Sequence, residues 1–254
     1  MNMSLKTFKR YEKKYLLNKE QFVALYSKLQ QYMKPDKHCK DGNNYTIYNI
    51  YFDTDNNDII RHSVSKPYYK EKLRLRSYKG NIMPHDIVFL ELKKKIGGVV
   101  NKRRATMTLA EANLFIEEGI IPTNTDYINN QVLQEIAYFL KNNAVKPKAY
   151  ICYDRIALFG KEDKNFRITF DYNIKTRREF LRLEQESFGT PLLDEGTYLM
   201  EVKINGAIPV WLARELSELN IYSTGFSKYG TEFKQYLLDR CEQDADDNIV
   251  TKAC

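Results

Sequence analysis

In the stretch from Lys70 to Lys79, KEKLRLRSYK, Leu73 and Leu75 alternate with Arg74 and Arg76. A strand sends successive side chains to opposite faces, so this segment has one apolar face and one cationic face. Taken singly, it is an ordinary half-buried antiparallel strand with its arginines in water. The pattern recurs, however. Leu90 and Leu92 alternate with Glu91, Lys93 and Lys95; Leu199 and Val202 flank Glu201 and Lys203; Arg167, Thr169 and Asp171 alternate with Phe166, Ile168 and Phe170; Arg10, Glu12 and Lys14 share the same spacing. Segments of this kind imply an α+β fold in which an antiparallel β-barrel turns its apolar face outward under helices and lines a tunnel with its charged face. A lumen with many cations and a few carboxylates suits a polyanion and has room for a metal.

Charge narrows the partner. The net charge is +7 over the 254 residues. The tail from Cys241 to Cys254 holds Glu242, Asp244, Asp246 and Asp247 against Lys252, so the remainder is more basic still. Such an excess points to nucleic acid, an anionic membrane surface or a phosphorylated small molecule. The Tyr-rich strands could stack bases, but their aromatics alternate like core residues, and nucleic acid is not the expected partner. Cys39, Cys152, Cys241 and Cys254 form no CxxC pair and read as reduced thiols. No apolar signal segment and no 18-residue apolar run occurs, so a cytoplasmic protein with no membrane segment of its own is expected.

Taken in order, a strand from Arg10 to Leu17 precedes a helix capped by Asn18 with Gln21, whose face carries Phe22, Leu25, Leu29 and Met33 before Pro35. A strand from Tyr45 to Phe52 follows, then a short helix around Ile59 and Ile60. Ile87 to Ile96 and Val99 to Met107 meet at Gly97-Gly98, a hairpin signal rather than a phosphate loop. Thr108 and Glu111 form a capping box for Leu109 to Glu118, and Val132, Ile136, Phe139 and Leu140 mark a second helix. Beyond Pro147 come strands through Tyr153 and Arg155, through Arg167 and through Glu201, with an unclassified charged connection from Arg177 to Glu186. A helix from Pro209 to Leu219, the sequence STGFSKYG and a last helix complete a single domain over 1–240, with an acidic, disordered tail at 241–254. His38, His62 and His85 form no cluster. On the residues alone, Lys93 and Lys203 read as solvated strand positions and Glu201 as a surface ion-pair partner.

The ordered set RYEKKY, YFDT, KLRLRSY, ELKKK, NKRRA, YDRIALF, FRITFDYNI, MEVKI and GFSKYG, from about Phe8 to Tyr236, resembles the VTC domain. That is the polyphosphate polymerase domain of the triphosphate tunnel superfamily, related to the CYTH proteins. The resemblance implies that Lys14, Arg74, Arg76, Arg155 and Arg167 act on the transferring phosphates. It implies that Lys93, Lys102, Tyr153, Lys203, Ser227 and Lys228 bind substrate phosphate, and that Glu201, with Glu12, holds Mn2+ or Mg2+. Glu12 reads equally as the ion-pair partner of Lys14. Two positions depart from the family pattern. Gly225 stands where the closing KFSK-like motif has Lys, and Arg10 stands where the hydrolytic relatives carry the first Glu of ExExK.

The expected activity is transfer of the γ-phosphate of ATP onto inorganic polyphosphate. Such chemistry needs in-line positioning, charge neutralisation and a divalent ion rather than a protein nucleophile. A triphosphatase on the same tunnel and a non-catalytic polyphosphate-binding module are the alternatives. A separate membrane protein is a possible partner.

Overall fold

The computed structural model describes residues 10–36, 39, 44–123 and 126–250, with side chains placed from Tyr11 to Glu242. The chain opens with β1 (Arg10–Leu17), α1 (Lys19–Leu29) and β2 (Met33–Pro35). Asn18 and Gln21 form the expected reciprocal cap of α1. Met33, expected on the helix face, instead begins β2, because Pro35 cannot continue a helix and the segment pairs with a neighbouring strand. Then come β3 (Tyr45–Asp53), α2 (Asp58–Val64), β4 (Tyr69–Ser77), β5 (Ile87–Ile96) and β6 (Val99–Thr108). Gly97 and Gly98 take φ of +52° and +90° at the β5–β6 turn, a conformation that glycine adopts without steric cost. The chain continues through α3 (Leu109–Glu118), α4 (Tyr127–Asn142), β7 (Lys146–Gly160), β8 (Arg167–Arg177), β9 (Thr190–Pro191), β10 (Tyr198–Asn205), α5 (Val210–Glu218), β11 (Ser223–Thr224) and α6 (Lys228–Val250).

Every pairing among the described strands is antiparallel, in the order β11-β1-β10-β8-β7-β3-β4-β5-β6, with β2 on β7 and β9 on β8. The expected closed barrel is not formed. Closure requires the two edge strands to meet in hydrogen-bond register. Here β6 pairs with β5 alone, and the short β11 pairs with β1 alone. The sheet still curls far enough that β1 and β6, near its two ends, come into contact. The result is a tunnel with one open seam.

Outside the sheet lie two apolar layers. Leu73, Leu75, Leu90 and Leu92 pack under Phe115 of α3 and Leu133 and Ile136 of α4. Ile168, Phe170, Met200 and Val202 pack under Leu25 and Leu29 of α1 and Leu212 of α5. Truncating a fully buried leucine such as Leu133 to Ala costs about 2–5 kcal/mol.

The third layer corrects the expectation that all helices pack outside. Tyr229 and Phe233 of α6 and Ile60 of α2 pack on Ile47, Tyr51, Ile151 and Tyr153. These share the inward parity of Asn49 and Arg155, so α6 enters one end of the tunnel. Tyr51 stacks on Tyr229 with centroids 4.8 Å apart, and the Tyr229 hydroxyl donates to buried Asp53 at 2.9 Å. The expected disordered tail is helical as far as Val250, because a helix anchored by a packed first turn propagates at one hydrogen bond per residue. Residues 251–254 lie outside those described. The unclassified connection after Arg177 is organised by that guanidinium, which donates to the carbonyls of Glu179, Phe180, Glu186 and Phe188.

Candidate functional site

Strand register builds the first wall. β4 and β5 set Arg74 opposite Glu91, and β6 sets Arg104 on the other side of the same carboxylate. Glu91 is fully buried and accepts from Arg74 Nε at 2.6 Å, Arg104 Nε at 2.7 Å and Lys102 Nζ at 3.0 Å, with Arg76 Nε 3.8 Å away. Burial pushes its carboxyl up, but the field of Arg74, Arg76, Lys102 and Arg104 outweighs burial and holds it far below the usual carboxylate range. One buried anion thus serves four cations. Arg76 is also aimed by Asn49 at 2.9 Å and by the Tyr153 hydroxyl at 3.0 Å, and Arg74 donates to the Tyr51 hydroxyl at 3.2 Å. Each guanidinium keeps further N–H groups for a phosphate, which it can grip bidentately.

Lys72 and Lys93 stand directly opposite each other on the same face. Neither has a carboxylate within ion-pair distance among the described residues. Like charges so placed repel. Burial first, then Lys70 and Lys93, bring Lys72 down to about 7 against a partial offset from Asp53. Burial, with Arg74 and Lys14, brings Lys93 down to about 8, although Glu12 and Glu201 oppose the shift.

The second wall is built differently. β1 and β10 set Lys14 opposite Glu201, and the Lys14 ammonium pairs with Glu201 and lies 3.0 Å from Glu12. Lys203 lies 3.5 Å from Glu201 and 3.7 Å from Glu12. Arg155 clasps buried Asp171 through Nε at 2.6 Å and through its terminal nitrogen at 2.7 Å, and Lys228 pairs with the same carboxylate and lies 3.6 Å from Glu201. Burial opposes ionisation at each carboxylate. Lys14, Lys93 and Lys203 nevertheless bring Glu12 down to about 2, and Lys228, Lys14, Lys203 and Arg155 hold Glu201 well below its ordinary range. Glu201 and Glu12 also keep Lys14 protonated, above its ordinary value, against burial.

The expected residues therefore converge, with differences in role. Arg167 lies at the rim, over the Phe159 ring at 5.0 Å and 3.7 Å from Asp36, and its Nε has no hydrogen-bond partner among the described residues. Ser227 is exposed, and its hydroxyl accepts from Gly230 N at 3.2 Å as a cap of α6. Gly225 has open space where a side chain would start, so a Lys there would meet no obstacle. The Arg10 side chain lies outside the described residues. Asp171, Arg104 and Lys72 belong to the site without having been picked from the sequence. A period of two exposes all three: Asp171 is four residues beyond Arg167, Arg104 two beyond Lys102, and Lys72 two before Arg74.

The VTC domain model matches residues 9–237. This chain belongs to the VTC-domain family. Among solved structures the VTC domain here is similar to a putative adenylate cyclase from Bacillus halodurans, with a TM-score of 0.52 at 18% identity over 86% of this chain and 95% of that one. A putative adenylate cyclase from Vibrio parahaemolyticus gives a TM-score of 0.43 at 14% identity, covering 88% and 97%. No curated protein matches it. The fold is α+β with an antiparallel sheet, shared with that Bacillus halodurans protein.

Glu12 and Glu201 fit a divalent ion. Both carboxylates already converge on a single cation, the Lys14 ammonium. A magnesium-type site takes one or two carboxylates and completes its shell with substrate phosphate and water. No group of three or more potential metal-ligating side chains occurs among the described residues. The protein would thus supply part of the shell and the substrate the rest.

Proposed function

We propose that this VTC domain is a polyphosphate polymerase, transferring the γ-phosphate of ATP onto a growing polyphosphate chain. The observation that carries the reading is the first wall, where, among the described residues, Arg74, Arg76, Lys102 and Arg104 share one carboxylate and Lys72 and Lys93 have none within ion-pair distance. Cations left in such excess in a partly buried channel are stabilised by a polyanion and by little else. Arg74 and Arg76 lie roughly 6.5–7 Å apart along their strand, so the two guanidinium groups form successive stations on one cationic track for a phosphate chain.

In this reading a terminal oxygen of the chain attacks the γ-phosphorus of ATP. The bond from that phosphorus to the β–γ bridging oxygen breaks, ADP leaves with the electron pair, and the chain is one unit longer. Arg74 and Arg76 hold the equatorial oxygens, and Arg155 and Lys228 sit across the lumen near the leaving side. Both nucleophile and leaving group are already anionic phosphates, so the residues act by positioning and charge neutralisation. Glu201 and Glu12 would hold the Mn2+ or Mg2+ ion, which would supply further neutralisation of phosphate charge, and the Lys14 ammonium beside them would face the substrate.

The test is to incubate the protein with ATP and Mn2+ or Mg2+, resolve the products on a gel stained for polyphosphate, and assay free phosphate in parallel. A ladder that vanishes in Arg74→Ala/Arg76→Ala supports the polymerase. Free phosphate without a ladder means a triphosphatase, and tight polyphosphate binding without either product means a binding module.

A further inference from the structure

The β5–β6 hairpin projects an apolar tip ringed by lysines. From Lys95 to Lys102 every residue is exposed, including Ile96 at 45% and Val99 at 47%. Tyr68, 77% exposed, lies against the turn, with its carbonyl accepting from Gly97 N at 2.9 Å. An exposed cluster of Ile, Val and Tyr at a rigid turn costs solubility and calls for an occupant. The collar indicates which kind. Arg103 pairs with Glu135 at 2.8 Å, but Lys66 and Lys95 have no carboxylate within ion-pair distance among the described residues. Burial, then the charges of Lys95 and Lys66, push the nearby Lys70 ammonium below its ordinary value, so the positive charge there is not neutralised. A polyphosphate chain would use the lysines and leave Ile96, Val99 and Tyr68 in water. A bilayer with anionic headgroups uses both, because aliphatic and aromatic tips enter the acyl boundary while lysines meet the headgroups.

We infer that the β5–β6 hairpin docks this domain on an anionic lipid surface, with Ile96, Val99 and Tyr68 inserted and Lys66 and Lys95 on the headgroups. No helix among the described residues is long and apolar enough to cross a membrane, so the attachment is peripheral and reversible. Lys93 and Lys95 share the inward parity of β5, so the docked hairpin sets the tunnel opening beside the bilayer. The inference is independent of the proposed phosphate transfer.

Co-sedimentation of the full chain with vesicles of phosphatidylcholine alone, or mixed with phosphatidylglycerol, tests it. Sedimentation is expected only with the mixed vesicles, and it should fade as salt is raised. Ile96→Ser/Val99→Ser should weaken it roughly tenfold, and Lys66→Gln and Lys95→Gln roughly fivefold each. Polyphosphate capture and the thermal midpoint, measured on Ile96→Ser/Val99→Ser and Lys66→Gln, should stay unchanged and so show an intact fold and tunnel. Absence of sedimentation overturns the inference, and so does sedimentation that Ile96→Ser/Val99→Ser leaves intact, since that is charge adsorption alone. A concentration-dependent dimer that the same pair abolishes without vesicles also overturns it, by assigning the tip to a second copy.

Discussion

The two walls of the tunnel handle charge in opposite ways. On the β1–β10–β8 side, Lys14, Lys203, Arg155 and Lys228 meet Glu12, Glu201 and Asp171, so four cations share three carboxylates. On the β4–β5–β6 side, among the described residues, Glu91 alone answers Arg74, Arg76, Lys102 and Arg104, and Lys72 and Lys93 have no carboxylate within ion-pair distance. A buried ion pair roughly breaks even against desolvation, whereas a buried unpaired charge costs several kcal/mol. The balanced wall is therefore stable as it stands and serves as a rigid frame. The unbalanced wall holds a repulsion that an incoming polyanion would relieve, so under the proposed function substrate would bind there with the greater electrostatic gain. In that proposal the side in charge excess is the side that recognises phosphate.

The largest effect that would break this contrast is on rate. Arg74→Ala/Arg76→Ala should lower phosphate transfer by about 10³ or more, the scale of a lost transition-state arginine. A comparable loss from Lys203→Gln, with Arg74→Ala/Arg76→Ala nearly unchanged, would reverse the assignment of the walls. Next comes stability. Glu91→Ala leaves four cations facing one another and should cost roughly 3–5 kcal/mol, read as a lower midpoint in denaturant unfolding. Added polyphosphate should restore much of that loss by binding the folded state.

Lys72→Met and Lys93→Met should each weaken polyphosphate binding roughly tenfold while raising the stability of the free protein near neutral pH. The sign follows from their depressed values of about 7 and about 8 against an ordinary 10.5. Between these values the unfolded chain binds more protons than the folded one, so stability of the free protein rises with pH across that window. Polyanion affinity should fall over the same range as the two ammonium groups lose their protons. Calorimetry in buffers of different ionisation enthalpy should show proton uptake on binding near pH 8, and release would contradict the scheme. The smallest effect belongs to Lys203→Gln, whose partly exposed pairs with Glu12 and Glu201 should contribute under about 1 kcal/mol to thermal stability.

Much of the site was legible because a strand has period two. Once Arg74 was placed in the lumen, the same parity carried Arg76, Glu91, Lys93, Lys102, Arg155 and Glu201 with it, and it would also have carried Asp171, Arg104 and Lys72. Ser227 was assigned by resemblance, and its hydroxyl caps a helix, an outcome that its place just before Lys228 allowed for. The capping boxes of α1 and α3 and the Gly97-Gly98 turn were readable because each is settled within four residues.

By itself, the sequence determined the local order: which residues alternate, where helices start, which side of each strand is charged, and that the charge excess is cationic. Only the tertiary structure decided that Glu91 serves four cations while Lys72 and Lys93 have no carboxylate partner among the described residues, that the sheet stops short of closure, and that α6 occupies one end of the tunnel. The division has one physical cause. Side-chain parity depends on neighbouring residues, whereas the pairing of Lys14 with Glu201 or Tyr51 with Tyr229 joins residues far apart in the chain. Those meetings are fixed by strand register and by the curl of the sheet, which no local segment encodes.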